Sequence, residues 1–161
     1  MAVGSFDNSK RVALEAAHSK AEMFFHSTSS WRTQSSYSFH EGISIFQIIA
    51  HSDYYIIFGG MYPFQKADLS TGNHPTDVIA KFNPKLNQWK PMGKLLNYRY
   101  GFGLIEVDKK FLVMGGEGDM QTEICEIKGE TVACTSREPT LTQFRYYPEM
   151  MVVSSDFVDN C

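Results

Sequence analysis

The sequence predicts an all-β protein assembled from repeated antiparallel units, and three observations carry that prediction. An apolar strand ending in two glycines occurs twice, as Tyr54-Tyr55-Ile56-Ile57-Phe58-Gly59-Gly60 and as Lys110-Phe111-Leu112-Val113-Met114-Gly115-Gly116, an interval of 56 residues (116 − 60). A tryptophan closing an aromatic-to-polar run also recurs, Phe24 to Trp31 and Phe82 to Trp89, at 58 residues (89 − 31). The third is the stretch Glu123 to Cys134, which reads as two alternating strands around Gly129-Glu130. Self-similarity at such an interval means that one supersecondary unit is used more than once.

Composition bounds the function. The 161 residues are 43% hydrophobic and 20% charged with a net charge of −3, the balance of a folded chain. A pI near 5.9 argues against coating nucleic acid or an anionic membrane, since both need a basic surface. No apolar stretch approaches the roughly 18–20 residues of a membrane helix. The best, Ile43 to Ala50, holds Ser44 and Gln47. The first thirty residues carry Asp7, Lys10, Arg11, Glu15, Lys20 and Glu22, so no leader-like apolar core occurs there.

The order of these features resembles the kelch repeat, a four-stranded β-propeller blade of about 50 residues. In that family a diglycine ends the second strand and an aromatic on the third precedes a turn with Pro or Asn. A Trp then opens the fourth strand, and Arg-x-Gly leads into the next blade. Asp77 to Trp89, then Arg99-Tyr100-Gly101, then Phe111 to Gly116 follow this order over one period. The resemblance implies an incomplete ring of four-stranded antiparallel blades. Its structural signature is Trp31, Gly59, Gly60, Trp89, Arg99, Gly101, Gly115 and Gly116.

In that register residues 1–36 form a partial blade, 37–93 a full blade, 94–140 a divergent full blade, and 141–161 the start of a further blade or a closing strand. Gly4-Ser5 stands where a diglycine would be, Ala21 to Phe25 supplies a third strand and Trp31 the fourth. The next blade has strands near Ile43–Ala50, Tyr54–Phe58, Asp77–Phe82 and Gln88–Pro91. The third has strands near Gly101–Val107, Phe111–Met114, Thr122–Ile127 and Thr131–Ser136, with Ala133-Cys134-Thr135 in place of its Trp. Arg145-Tyr146-Tyr147 repeats Arg99-Tyr100-Gly101 after 46 residues (145 − 99), with Tyr147 for Gly101, and Glu149 to Val153 would open a fourth blade. The sequence is expected to start after two strands of one blade and to stop after one or two of another. A run with helical propensity, Lys10 to Lys20, could form a short helical turn within an insertion.

The residue types have physical causes. A strand that turns sharply beneath a neighbour needs backbone conformations open only to Gly, or an approach without a Cβ. Trp31 and Trp89 bring large apolar area for bridging one blade to the next; lining a ligand pocket is the alternative. Gly129 at the first position of a two-residue loop fits a type II′ turn. Pairing then sets Lys128 against Thr131, Ile127 against Val132, Glu126 against Ala133 and Cys125 against Cys134. The two cysteines fall at a non-hydrogen-bonded position, where Cα atoms lie about 4.5 Å apart, and a Cys125–Cys134 disulfide is predicted. The alternative is two buried free thiols stacked across the hairpin. Lys109-Lys110, after Asp108, reads as another hairpin tip.

Catalytic patterns are missing from the sequence. His18, His26, His40, His51 and His74 are scattered, and the three cysteines lack a Cys-x-x-Cys, so no metal is expected. Gly115 to Asp119 lacks the Lys-Ser/Thr of a phosphate loop, and its acids would repel phosphate. No Gly-x-Ser-x-Gly occurs. The chain is therefore read as non-catalytic, without cofactor. The copper enzyme galactose oxidase, built on a similar propeller, is the least favoured comparison, since no recognisable ligand set is assembled.

The stretch Met61 to Thr76 is long and rich in turn residues yet carries Tyr62 and Phe64. Long loops on a rigid scaffold are where recognition sits, so Tyr62, Phe64, Lys66 and His74 form the candidate binding loop; a packed insertion without function is the alternative. The expected role is a protein-interaction or scaffold module presenting propeller loops to a protein partner, with no nucleic acid and no membrane span. Remaining blades or self-association would cover its open faces. The alternative is an extracellular carbohydrate- or matrix-associated propeller. The cysteine pair favours an extracellular location over a cytoplasmic one, and Cys161 is the odd thiol.

Overall fold

A computed structural model describes residues 21–25, 29–34, 46–65, 71–86, 88–117, 121–137 and 147–152. Among them every regular element is a strand, so the fold is all-β. Gly4-Ser5, the run Lys10 to Lys20, Lys66, Arg145 and Cys161 lie outside the described residues, as do the side chains of Trp31 and Phe64.

Ala21–Phe25 (β1) and Ser30–Gln34 (β2) form a two-stranded antiparallel pair that sets Phe24 opposite Trp31. The main sheet takes Gln47–His51 (β3), Tyr54–Phe58 (β4), Val78–Asn83 (β7), Gln88–Lys94 (β8), Gly103–Val107 (β9), Lys110–Met114 (β10), Thr122–Lys128 (β11) and Thr131–Arg137 (β12). Between β4 and β7 stand Met61–Gln65 (β5) and Thr71–Pro75 (β6), paired only with each other. The expected loop over 61–76 is thus a β-hairpin. Pro63, Gly72 and Pro75 hid it, because such residues disfavour a strand in the sequence but are tolerated where a strand has a free edge.

The eight main strands run in the order β3-β4-β7-β8-β12-β11-β10-β9. This is two four-stranded antiparallel units, each a meander, joined at their last strands by a single parallel bridge, Val132 to Gly93. The first strands, β3 and β9, also lie against each other, so the sheet almost closes on itself.

Strand chemistry follows the core. In β10 Phe111 and Val113 are buried while Lys110 is exposed, the period-2 pattern of a strand with one face packed. In β4 the run Ile56-Ile57-Phe58 is buried throughout, as suits a strand covered on both faces. The register of β7 on β8 shifts between Ile79 and Ala80, which face Gly93 and Pro91. Met92 is the extra residue, and it is buried in the core. Pro91 is accommodated beside this bulge, where a missing ladder N–H is least costly.

Three two-residue turns connect the hairpins, each with its own chemistry. Gly129 has φ 64° and Glu130 is not left-handed, the type II′ geometry expected from the sequence. Asp108 and Lys109 are both left-handed, at φ 50° and 63°, which is type I′. Ser52, at φ 54°, occupies a position that a glycine would fill without strain. Asn83 holds the β7–β8 turn by accepting the N–H groups of Lys85 and Leu86 on its Oδ1, at 2.9 and 3.2 Å.

The core runs through both units. Phe58 and Phe111 pack with ring centroids 5.1 Å apart, joined by Ile56, Ile79, Leu95, Phe102, Val113 and Val132. Phe102 sits between the two diglycines. A Cβ on Gly59 would lie 2.8 Å from its ring, and one on Gly116 would lie 2.9 Å from its own Cβ. That close approach, together with left-handed φ values of 52° and 85°, is why glycine stands at both positions.

Candidate functional site

The connections of the main sheet emerge at two ends. At one end are the tight turns at Ser52-Asp53, Asp108-Lys109 and Gly129-Glu130 and the Asn83 turn. At the other end β4 and β10 leave the sheet at their diglycines, β8 passes into β9 through residues 95–102, and the β5–β6 hairpin projects. The second end is the more elaborate and holds most of the residues singled out from the sequence.

Its anchor is Arg99. The side chain is wholly buried and reaches Glu123 Oε1 through Nη2 at 2.8 Å. Its Nη1 donates to the carbonyls of Gly115 and Gln121, at 3.2 and 3.0 Å. Glu123 is equally buried, and its Oε2 accepts the N–H of Leu96 at 2.8 Å. Backbone thus meets most of the pair's hydrogen-bonding need, as a buried charge requires, and leaves Arg99 Nε without a partner among the described residues.

The Arg99 backbone does a second task. Its carbonyl accepts from Gly60 N–H at 3.0 Å and its N–H donates to the Thr76 carbonyl at 3.3 Å. Thr76 N–H in turn reaches the Gly60 carbonyl at 2.9 Å. The base of the β5–β6 hairpin is therefore stitched to the residue whose side chain locks the second unit. Tyr100 continues the pattern: its carbonyl accepts from Glu117 N–H at 3.0 Å and its hydroxyl donates to the Glu117 carboxylate.

Several side chains remain turned to solvent on this frame. Tyr98 is 62% exposed and Leu96 48%. On the hairpin Tyr62 lies opposite His74 in register, with ring centroids 5.7 Å apart. Of the expected binding loop, the structure thus pairs Tyr62 with His74, and Phe64 stands opposite Gly72 on the same hairpin. Asp77 and Lys94 form an ion pair at 3.1 Å beside the hairpin base. Gly101 and Tyr147, equivalent in the repeat, are both left-handed, at φ 63° and 49°, and touch: Tyr147 N–H donates to the Gly101 carbonyl at 2.6 Å. Residues 148–152 form no strand, and Met151 is 80% exposed.

Cys125 and Cys134 face each other as the turn register requires, with Cα atoms 4.0 Å apart and sulfurs at bonding distance. Glu123 lies within 4.8 Å of both sulfurs. The three do not make a metal centre, because the sulfurs are spent on each other and the carboxylate on Arg99 and Leu96. Trp89 packs on Phe82, centroids 4.7 Å apart, which accounts for it as packing.

The tight-turn end is ionic. Glu130 accepts from Lys81 and Lys90, at 2.9 and 2.8 Å, and the Lys90 and Lys81 ammonium groups hold its carboxyl down at about 2. Lys110 likewise holds the Glu126 carboxyl below the usual range. Burial pushes the Tyr54 hydroxyl up, partly offset by Lys81 above its ring. Lys85 meets Asp53 at 3.5 Å.

Sequence reasoning missed Glu123. The signal was present: it shares strand parity with Cys125 and Ile127, whose face is buried, and a carboxylate there demands a cation. It also missed that Arg99 would supply that cation.

No family model and no curated protein matches the chain. Among solved structures, the one described as "Structure of YjhT" is similar with a TM-score of 0.61 at 12% identity, over 79% of this chain and 45% of that one. The chain therefore spans less than half the length of that structure, and the likeness is one of fold.

Proposed function

We propose that the chain is a segment of a kelch-type β-propeller that presents its diglycine end to a protein partner, without catalysis. The two four-stranded units stand as neighbouring blades, with β3 and β9 innermost and β8 and β12 outermost. The observation that carries the functional reading is the β5–β6 hairpin, a recognition-sized projection whose base is hydrogen-bonded to Arg99. A rigid base beneath an exposed hairpin lowers the ordering cost of binding. Tyr62 on that hairpin and Tyr98 beside its base are residues of the type that anchors protein interfaces.

A photo-reactive phenylalanine analogue placed at Tyr62 or Tyr98, in the natural full-length protein in its own cells, tests this reading. A discrete protein adduct from both positions, and none from the same group at Leu86 on the opposite end, is the expected result. No adduct, or equal labelling from both ends, overturns it.

The Cys125–Cys134 bond favours a second reading, an extracellular propeller associated with carbohydrate or matrix, because such bonds persist mainly outside the cytosol. Alkylation of the protein as isolated, unfolded in denaturant before any reductant, separates the two. Unmodified Cys125 and Cys134 support the extracellular reading, and full alkylation removes its basis.

A further inference from the structure

Beside the shared apolar core and the approach of β3 to β9, most of the polar contacts that tie the first unit and the connecting segment to the second converge on one hairpin. Glu123, on β11, receives Arg99 and the Leu96 N–H from the connecting segment. Val132, on β12, makes the bridge to Gly93 of β8. That approach is so close that a Cβ on Gly93 would lie 2.3 Å from the Val132 carbonyl oxygen. Glu130, in the turn between β11 and β12, holds Lys81 and Lys90 of the first unit. Of the described ion pairs between the units, only His51 with Glu106 lies elsewhere.

The disulfide sits in the middle of this arrangement. Cys125 is two residues beyond Glu123 and Cys134 two residues beyond Val132, so each cysteine shares a strand face with one of the joining residues. We propose that the Cys125–Cys134 bond is a redox latch that sets how firmly the two units are joined. Oxidised, it fixes the spacing of β11 and β12 and with it the positions of Glu123 and Val132. Reduced, two separate thiols need van der Waals spacing across a cysteine pair whose Cα atoms are only 4.0 Å apart. Cys125 is fully buried, and a close-packed interior takes up such a change by moving its neighbours. The displacement passes along the shared face to Glu123 and Val132.

Access favours one sulfur. Cys134 is half-buried on an outer strand whose neighbours Ala133 and Thr135 are exposed, whereas Cys125 is sealed in the core. A thiolate of a dithiol reductant attacks Cys134 Sγ, the Sγ–Sγ bond breaks, and Cys125 leaves as a thiolate that takes up a proton. The second thiolate of the reductant then displaces Cys134 from the mixed disulfide, and Cys134 is protonated in turn. The reductant ends as a cyclic disulfide and the protein as a dithiol, two electrons and two protons having moved. The latch concerns the joint and stands whether or not the diglycine end binds a partner.

Amide hydrogen exchange on the intact chain, oxidised and after native-state reduction with dithiothreitol, tests it. Exchange at Leu96 and in the Gly93 and Val132 segments is expected to rise about tenfold on reduction, while Ile57 and Ala80, paired inside the first unit, change less than about twofold. In the double variant C125A/C134A, which has neither the bond nor the two crowding sulfurs, dithiothreitol is expected to change nothing at these positions. In the wild type, faster exchange confined to residues 125–134, a uniform rise across both units, or no change on reduction overturns the latch, as does an equal response of the double variant. Should the double variant fail to fold, the dithiothreitol comparison alone decides.

Discussion

Arg99 and Glu123 form an ion pair from which water is excluded on both sides, with Nη2 and Oε1 2.8 Å apart and neither side chain exposed. Arg99 lies in the segment that connects the two units and Glu123 in the second, so the pair pins the connection to the second unit. Removing one partner strands the other. Arg99→Met is expected to destabilise the protein by about 3–5 kcal/mol, the penalty for an unpaired buried charge. The double variant R99M/E123L is expected to lose less than the sum of its parts, yet not to recover fully. The buried Gly115 carbonyl would lack its side-chain partner, at about 1–3 kcal/mol, while Leu96 N–H and the Gln121 carbonyl, nearer solvent, would lose theirs at smaller cost. Urea unfolding of the four proteins in a double-mutant cycle measures the coupling.

Two glycines should answer differently to the same substitution. Gly93→Ala drives a methyl group into the Val132 carbonyl, a backbone contact that cannot rotate away, and a loss above about 3 kcal/mol is expected. Gly129→Ala meets nothing within 4 Å and pays only for its left-handed φ, about 1–2 kcal/mol. Equal losses in thermal unfolding would show that sterics at the bridge do not limit the joint.

Ser52 offers a stabilising change. It holds φ 54° at the first position of the β3–β4 turn without glycine's freedom. Ser52→Gly is expected to raise stability by about 0.5–1 kcal/mol, seen as a higher urea midpoint with an unchanged slope.

Acid should weaken the tight-turn end. Lys90 and Lys81 lower the Glu130 carboxyl from 4.5 to about 2 in the folded chain. A depressed carboxylate contributes stability above its unfolded value and loses it as pH falls through the folded one. Melting temperature should therefore fall between pH 4.5 and 2 more steeply for the wild type than for Glu130→Gln. The difference should shrink in molar salt, because the carboxylate is fully exposed.

The parts of this fold set by local rules were readable from the sequence. Gly129 dictated its turn, the turn dictated the register, and the register placed Cys125 against Cys134. The strand-diglycine pairs announced where β4 and β10 end. What could not be read locally depended on distant partners. Pro63, Gly72 and Pro75 argue against strands unless a free hairpin edge is known to exist. Tyr147 gave no sign of being left-handed apart from its alignment with Gly101. For the candidate surface, Tyr62 and His74 were visible as residue types in a long insertion. Their pairing needs a hairpin that Pro63, Gly72 and Pro75 disguise, and the anchoring of its base to Arg99 arises only where the chain returns after β8.

Phe102 touches the positions where a Cβ would stand on Gly59 and on Gly116, one from each unit. The dependence runs one way. A Cβ at Gly59 or Gly116 would meet backbone first, the carbonyl oxygens of Arg99 and Tyr100 at 2.6 Å, so no smaller residue at 102 makes room for it. A smaller residue at 102, by contrast, opens a void against both glycines at once. The ring can therefore vary at a cost in packing, whereas the two glycines are fixed by main chain and have no compensating partner to drift with.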